Sequence, residues 1–262
     1  MTAERYRLRS RTDSAPEAGK KTRLDLLLVA RGLARSREEA QRLILAGEIR
    51  IGDRPARKAS ETVAADAAVA VGERPRFVSR GGDKLAGALD AFALDVAGHV
   101  AIDVGASTGG FTDCLLSRGA LRVYAVDVGY GQLDWRLRSD PRVVVIERQN
   151  IRALSSETIA EPVDLAVADV SFISLKLVLP VVQRLLASQA AVVALVKPQF
   201  EVGRGKVGKG GVVRDPLLHD ESVAAVRDAA SALGWVEQGI VESALRGAKG
   251  NREFFVYWTA ES

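Results

Sequence analysis

The run Val100-Ala-Ile-Asp-Val104 is short, apolar and β-branched, and Gly105 follows it at once. Gly109 and Gly110 come next, and from Phe111 to Leu116 apolar residues recur at helical spacing. A strand, a glycine turn and a helix in that order form the phosphate- or nucleoside-binding geometry of α/β proteins. Glycine lets a ligand approach the backbone closely, and the N–H groups that open a helix favour negative or polar groups. The spacing is not the dinucleotide fingerprint, because Ser107 stands at its second glycine position. Nor does a Lys-Ser or Lys-Thr follow, as a P-loop requires. Asp127 ends the next apolar run, 22 residues after Gly105, where a carboxylate suits a ribose diol. Taken alone, the turn fits a ligand cradle and a plain tight βα turn equally well.

Past residue 99 the two periods alternate. Strands are expected at 100–104, 122–127, 143–147, 163–168 and 190–196, and helices at 110–118, 131–138, 172–187 and 216–233. The strands are rich in Val, Ala and Ile on both faces, which indicates a parallel sheet covered by helices. Strands near 235–242 and 253–258 follow with no helix between them. They must form a hairpin, so the last strand runs antiparallel. This order resembles the Rossmann-like class I S-adenosylmethionine (SAM)-dependent methyltransferases, with a mostly parallel seven-stranded α/β sheet.

The 262 residues allow one large domain plus a small one, and 47% hydrophobic residues supply a sizeable core. A single cysteine, Cys114, excludes an intramolecular disulfide, and two distant histidines argue against a zinc centre. No apolar run approaches the roughly 20 residues that span a bilayer, and the basic N-terminus lacks the apolar stretch of a secretory signal. A cytoplasmic protein is expected. Charge is uneven: residues 1–82 carry a net +7 and residues 83–262 a net −3. A basic N-terminal third is what a nucleic-acid-binding module joined to another domain would show.

Residues 1–20 lack periodicity and read as a disordered tail. Thr22 could cap a helix from Arg23, and Ser36-Arg-Glu-Glu39 is a capping box for a second helix that Gly47 stops. Ile49-Arg-Ile51 and Val69-Ala-Val71 read as short strands. The motifs Arg23-Leu-Asp-Leu-Leu-Leu-Val, Ala34-Arg-Ser-Arg-Glu-Glu-Ala and Ile51-Gly-Asp resemble the S-four-type RNA-binding domain, here over 21–73. The resemblance implies that Arg35, Arg37, Arg42 and Arg50 face RNA phosphates. A connector at 74–79 precedes the second domain, 80–262. Its opening helix runs through Phe92 and carries Lys84 in its first turn, where the helix dipole disfavours a cation.

Charged residues directly continue the later apolar strands: Asp169 in Ala168-Asp-Val-Ser-Phe, and Lys197 in Val196-Lys-Pro-Gln-Phe-Glu. Glu253 begins the antiparallel last strand in Gly250-Asn-Arg-Glu-Phe. Ligands of open α/β sheets sit beyond the carboxyl ends of the strands, so topology gathers these three at one edge, and Lys84 could join them. With Ser79-Arg-Gly-Gly-Asp-Lys-Leu and Asp103-Val-Gly-Ala-Ser-Thr-Gly-Gly-Phe, these motifs resemble FtsJ-type ribose 2′-O-methyltransferases. The whole chain resembles the TlyA, or hemolysin A-like, family.

That resemblance implies a Lys84–Asp169–Lys197–Glu253 tetrad acting on cytidine in structured ribosomal RNA. It also implies SAM contacts at Gly105, Ala106, Ser107, Thr108, Gly109 and Gly110, at Asp127 with the ribose, near Asn150 with the adenine, and at Asp169. Position 150 departs from relatives that carry Asp there. A ribose hydroxyl is a poor nucleophile, and a lysine serves as base only when burial or a second cation lowers its pKa from about 10.4. Lys197 is assigned as base, with Lys84 steadying the oxyanion and the carboxylates orienting both lysines. No metal is required, because a sulfonium is already an activated methyl donor. Arg80, and Arg204, Lys206 and Lys209 of a glycine-rich mobile flap, are expected to touch RNA. Ribosomal RNA and ribosomal subunits are the expected partners, no membrane is expected, and a monomer is expected. Two rivals stay open: a non-catalytic RNA-binding or ribosome-assembly factor, and a membrane-active cytolysin.

Overall fold

The computed structural model describes residues 21–52, 54–72, 76–203 and 205–260. The expected tail at 1–20 and Arg204 lie outside the described residues. The chain divides into two compact units, 1–75 and 76–262.

The first unit contains β1 (Lys21–Arg23), α1 (Leu24–Ala30), α2 (Arg37–Leu45), β2 (Ile49–Ile51), β3 (Arg54–Pro55), β4 (Thr62–Ala64) and β5 (Val69–Val71). Leu24, Leu27 and Leu28 of α1 bury against Ala40, Ile44, Ile49 and Val63. Ser36 caps α2 as expected, its hydroxyl accepting from Glu39 N at 3.2 Å, and the Glu39 carboxylate reaches back to Arg35 N at 2.6 Å. Thr22 does not cap α1. It pairs with Val63 in the β1–β4 ladder, and the Asp25 carboxylate accepts from Leu26 N instead.

The second unit contains α3 (Arg80–Ala91), β6 (Val100–Val104), α4 (Gly110–Ser117), β7 (Arg122–Val126), α5 (Trp135–Arg138), β8 (Val143–Ile146), β9 (Val163–Ala168), α6 (Leu175–Gln183), β10 (Leu186–Val196), α7 (Pro198–Glu201), α8 (Pro216–Ser231), β11 (Trp235–Glu242) and β12 (Phe254–Ala260). Seven strands form one sheet in the order β11-β12-β10-β9-β6-β7-β8. β12 runs antiparallel to both its neighbours, and the other pairings are parallel.

Strand periodicity sends alternate residues to opposite faces. Ile102 and Val104 pack with α6 and α8 through Val178, Leu179 and Val226, whereas Ala101, Val123 and Val167 pack with α3 and α4 through Leu85, Leu89 and Leu115. The sheet is therefore apolar on both sides, as the Val/Ala/Ile-rich runs required. Three expected elements change length. The helix at 131–138 contracts to α5, capped by Asp134. The helix at 172–187 starts only at Leu175, because Phe172 sits at φ +65° and Ser174 caps the first turn. β10 begins at Leu186 rather than 190. The end of the connector at 74–79 is packed chain: Phe77 is buried in the second unit's core, and Val78 N donates to Asp113 at 2.8 Å.

Asp103 is wholly buried within β6, its Oδ2 accepting from Thr112 N at 2.9 Å and Thr112 Oγ1 at 2.7 Å. It thereby ties the strand to the helix across the glycine turn. Burial pushes this carboxyl up to about 7 against the opposing pull of the Thr112 donors, with the Asp169 charge adding to the rise. A raised carboxyl holds its proton more tightly in the folded chain than in the unfolded one. Stability therefore falls as pH rises from the unfolded value of about 4 through about 7. Urea unfolding of the protein and of D103N between pH 5 and 8 should show the parent losing stability relative to the variant, by up to about 1.4 kcal/mol per pH unit. A pH-independent difference would contradict the assignment.

Candidate active site

The chain places β7 and β8 on one side of β6 and returns to lay β9 on the other. Such a switch point opens a crevice beyond the strand ends. Gly105 and Asp169 flank it. At φ +89°, Gly105 adopts a backbone that L side chains avoid, and a Cβ there would meet Asp169 O at 2.5 Å. The glycine is demanded by both backbone angle and close approach.

Two clefts open on this edge and share Gly105, Ser107, Asp169, Ser171 and Phe172. One, of about 420 Å³, runs over the ends of β6 and β7 and is lined by Asp127, Val128, Asn150 and Ile151. The Asp127 carboxylate accepts from Ser107 N at 2.8 Å and Gly129 N at 2.7 Å, which clamps the turn against the next strand. Asn150 Oδ1 accepts from Arg152 N at 3.0 Å, so the carbonyl expected to meet an adenine also caps a short turn. Of the turn residues, Gly105, Ala106, Ser107, Thr108 and Gly110 line the clefts. Gly109 instead faces Leu133 and Leu137, at φ +94°, where it caps α4.

The second cleft, of about 580 Å³, is lined by Lys84, Asp169, Lys197 and Glu253 together. The β10–β12 register pairs Val196 with Phe254 and so sets Lys197 and Glu253 at neighbouring ends. The four residues form two ion pairs. Lys84 Nζ meets Glu253 Oε2 at 2.5 Å, with side chains 10% and 3% exposed, and Lys197 Nζ meets Asp169 Oδ1 at 2.5 Å, with side chains 11% and 22% exposed. Lys84 is the fifth residue of α3, in its second turn rather than its first, and is buried. Its burial beside Glu253 accounts for the cation better than the dipole argument did.

Several residues at this edge carry no spacing signal of their own. Ser171 Oγ accepts from Lys197 Nζ at 3.0 Å. Phe172, 92% exposed on left-handed backbone, stacks obliquely on Phe200 with centroids 5.1 Å apart. Glu201 accepts from Ser174 and Leu175 N, and burial pushes its carboxyl up from the usual range. Lys249, exposed, lines the larger cleft with Arg80. Ser171, Phe172 and Glu201 all sit inside motifs visible in the sequence, but their partners are remote in the chain.

The cationic residues expected to meet RNA behave differently from one another. Arg35, Arg42 and Lys209 are exposed. Arg37 donates through Nε to buried Asp25 at 2.9 Å, beside Arg23, which pairs with the same carboxylate. Arg50 is exposed on β2. Lys206 pairs with Glu221 of α8 at 2.7 Å. The stem of the flap is fastened: Val213 N donates to Asn251 Oδ1 and Asn251 Nδ2 donates to Gly211 O, each at 2.9 Å.

A family model for FtsJ-like methyltransferases matches residues 77–260, and one for the S4 domain matches 22–69. The chain is 54% identical over 241 residues to the 16S/23S rRNA (cytidine-2′-O)-methyltransferase TlyA of Mycobacterium tuberculosis, covering 91% of this chain and 90% of that protein. The chain belongs to the TlyA family. The chain is also 38% identical to Hemolysin A of Brachyspira hyodysenteriae, over 90% of this chain and 99% of that protein. A solved structure of a hemolysin-named protein from Streptococcus thermophilus superposes with a TM-score of 0.73 at 41% identity, covering 92% of this chain and 89% of that one. Among the described residues of this TlyA-family chain, no helix is long and apolar enough to cross a membrane.

The two ion pairs differ in what remains when one partner is removed. Losing Glu253 leaves the Lys84 ammonium buried with no other side-chain partner among the described residues, a loss of about 3–5 kcal/mol. Losing Asp169 leaves Lys197 still bonded to Ser171 Oγ and removes a carboxylate 22% exposed against 3% for Glu253, so D169A should cost clearly less than E253A in urea unfolding. Equal losses would contradict the difference in burial.

Proposed function

We propose that the chain is a SAM-dependent ribosomal RNA ribose 2′-O-methyltransferase acting on cytidine, and that its two clefts hold donor and acceptor side by side. The observation that carries this reading is the gathering of two lysine–carboxylate pairs in one cleft that shares its wall with a glycine-turn cleft. The 54% identity to a named cytidine-2′-O-methyltransferase supports the substrate class.

The smaller cleft suits SAM. Gly105 and Ser107 of the turn border it, Gly105 lets the turn lie close against the Asp169 backbone, and Asp127 keeps free lone pairs beyond its two backbone bonds for a ribose diol. Asn150 and Ile151 lie where an adenine would pack. When bound, SAM supplies an activated methyl group on its sulfonium.

The chain's own residues prepare the other reactant. A ribose 2′-hydroxyl entering the larger cleft meets Lys197 Nζ, which takes its proton. Asp169 and Ser171 each hold one N–H of that neutral amine, which leaves its lone pair for the hydroxyl proton. Lys84, fixed by Glu253, puts a second cation beside the oxygen as its negative charge develops. One chain supplies all four residues, so the reaction needs no second copy.

The S4 domain delivers RNA through exposed Arg35, Arg42 and Arg50, and through Arg37, whose free edge Asp25 orients. Arg80, Lys209 and Lys249 contact phosphates near the cleft, with Arg204 assigned to the same role from sequence, and Lys206 would first leave Glu221. The protein works on ribosomal subunits in the cytoplasm.

Mass-spectrometric mapping of ribosomal RNA incubated with protein and SAM should reveal a 2′-O-methylcytidine. K197A should lower its formation by about a hundredfold or more while the variant still binds SAM. Methylation persisting at the parental rate in K197A would remove Lys197 from the base role. RNA binding without any SAM-dependent mass gain in the parent would favour a non-catalytic assembly factor.

A further inference from the structure

Two loops leave the carboxyl edge of the sheet side by side. One runs from Asp169 after β9 to Ser174 before α6, and the other from Lys197 after β10 through α7 to Glu201. Lys197 and Glu201 are four residues apart, so one helical turn turns both toward the first loop. Lys197 reaches Asp169 and Ser171 near that loop's start. Glu201 reaches its far end: Oε2 accepts from Ser174 Oγ at 2.5 Å and Oε1 from Leu175 N at 2.8 Å. The Phe172–Phe200 ring contact lies between these two links.

The Glu201 link is locally favourable. Leu175 N is one of the donors that open α6 and have no partner within the helix. A carboxylate at that end also meets the positive pole of the helix. Ser174 completes the arrangement by accepting from Lys176 N at 3.2 Å while it donates to Glu201. Glu201 itself lines neither cleft, so it touches neither reactant.

We propose that Glu201 is a positioning residue for methyl transfer, bracing the 169–174 loop so that Lys197 keeps its place against Asp169 and Ser171 through a change of charge. The inference rests on the reading of Lys197 as base. Without the brace, the chief charged link between the loops is the Lys197–Asp169 pair. That link weakens whenever Lys197 is neutral, which is the state in which a base must act. A tether that does not titrate with the base lets the amine lose its proton while the loop stays put. Displacement of about 1 Å at a reacting group costs on the order of a hundredfold in rate.

Steady-state methylation of ribosomal RNA by full-length E201A, E201Q, S174A and K197A, with SAM binding measured alongside, tests this. E201A should lower kcat by about 10- to 100-fold, with KM for RNA and Kd for SAM held within about twofold. E201Q should recover most of the loss, because its carboxamide oxygen still accepts from Leu175 N and its amide can donate to Ser174 Oγ. S174A, which keeps the Leu175 bond, should lower kcat by about threefold to tenfold. Parental kcat in E201A and S174A, with K197A inactive, overturns the proposal and leaves the base assignment standing. Equal losses in E201A and E201Q that track loss of SAM binding also overturn it, since they mark general unfolding. If E201A does not fold, S174A decides: parental kcat overturns the brace, and reduced kcat with intact SAM binding supports it. Activity in K197A overturns both readings together.

Discussion

An ammonium group taken out of water keeps its charge only if an anion goes with it. Lys84 is buried in α3, and Glu253 is the buried anion that accompanies it. That requirement links distant parts of the chain. Glu253 can reach Lys84 only if the last strand starts at the carboxyl edge of the parallel strands, which forces β12 to run antiparallel. The same reversal sets Glu253 next to Lys197, whose own partner, Asp169, ends the adjacent strand β9. The hairpin β11–β12 is thus what makes a two-pair site possible on an otherwise parallel sheet.

The site works by contrast between its two halves. The turn at Gly105–Gly110 is held from below by Asp103, which accepts from Thr112 N and Oγ1, and from the side by Asp127, which accepts from Ser107 N. Its shape is fixed before anything binds. The larger cleft has charged side chains that hold one another, and under the proposed mechanism one of them, Lys197, takes up a proton. Ser171 accepts from Lys197 and Glu201 accepts from Leu175 N on the neighbouring loop, and in the proposed mechanism both support a group that changes charge. Preorganisation of this sort avoids rearrangement at the moment of reaction.

Much of this was legible in the sequence. The strand, turn and helix around Gly105 follow from period and glycine placement, and the charged residues at the ends of apolar runs marked the edge where Asp169, Lys197 and Glu253 meet. What could not be read was pairing. Nothing in the spacing says that Lys84 belongs to Glu253 and Lys197 to Asp169, or that Ser171 and Glu201 bridge loops 26 and 27 residues apart. Three-residue strands such as β1 and β4 have no measurable period, so Thr22 looked like a helix cap. The pairing of Lys206, expected to touch RNA, with Glu221 depends on a helix whose packing only the fold determines. Tertiary contacts settle such cases, and local propensity is silent on them.

The central claim is that a neutral lysine, held between carboxylate and hydroxyl, removes the proton from a ribose hydroxyl. The pH dependence of single-turnover methyl transfer to ribosomal RNA, with SAM saturating, tests it most directly. The account predicts that the logarithm of the rate climbs with a slope of about one per pH unit before reaching a plateau. A rate that stays flat from about pH 6 to 9, with chemistry shown to be rate-limiting, would contradict it.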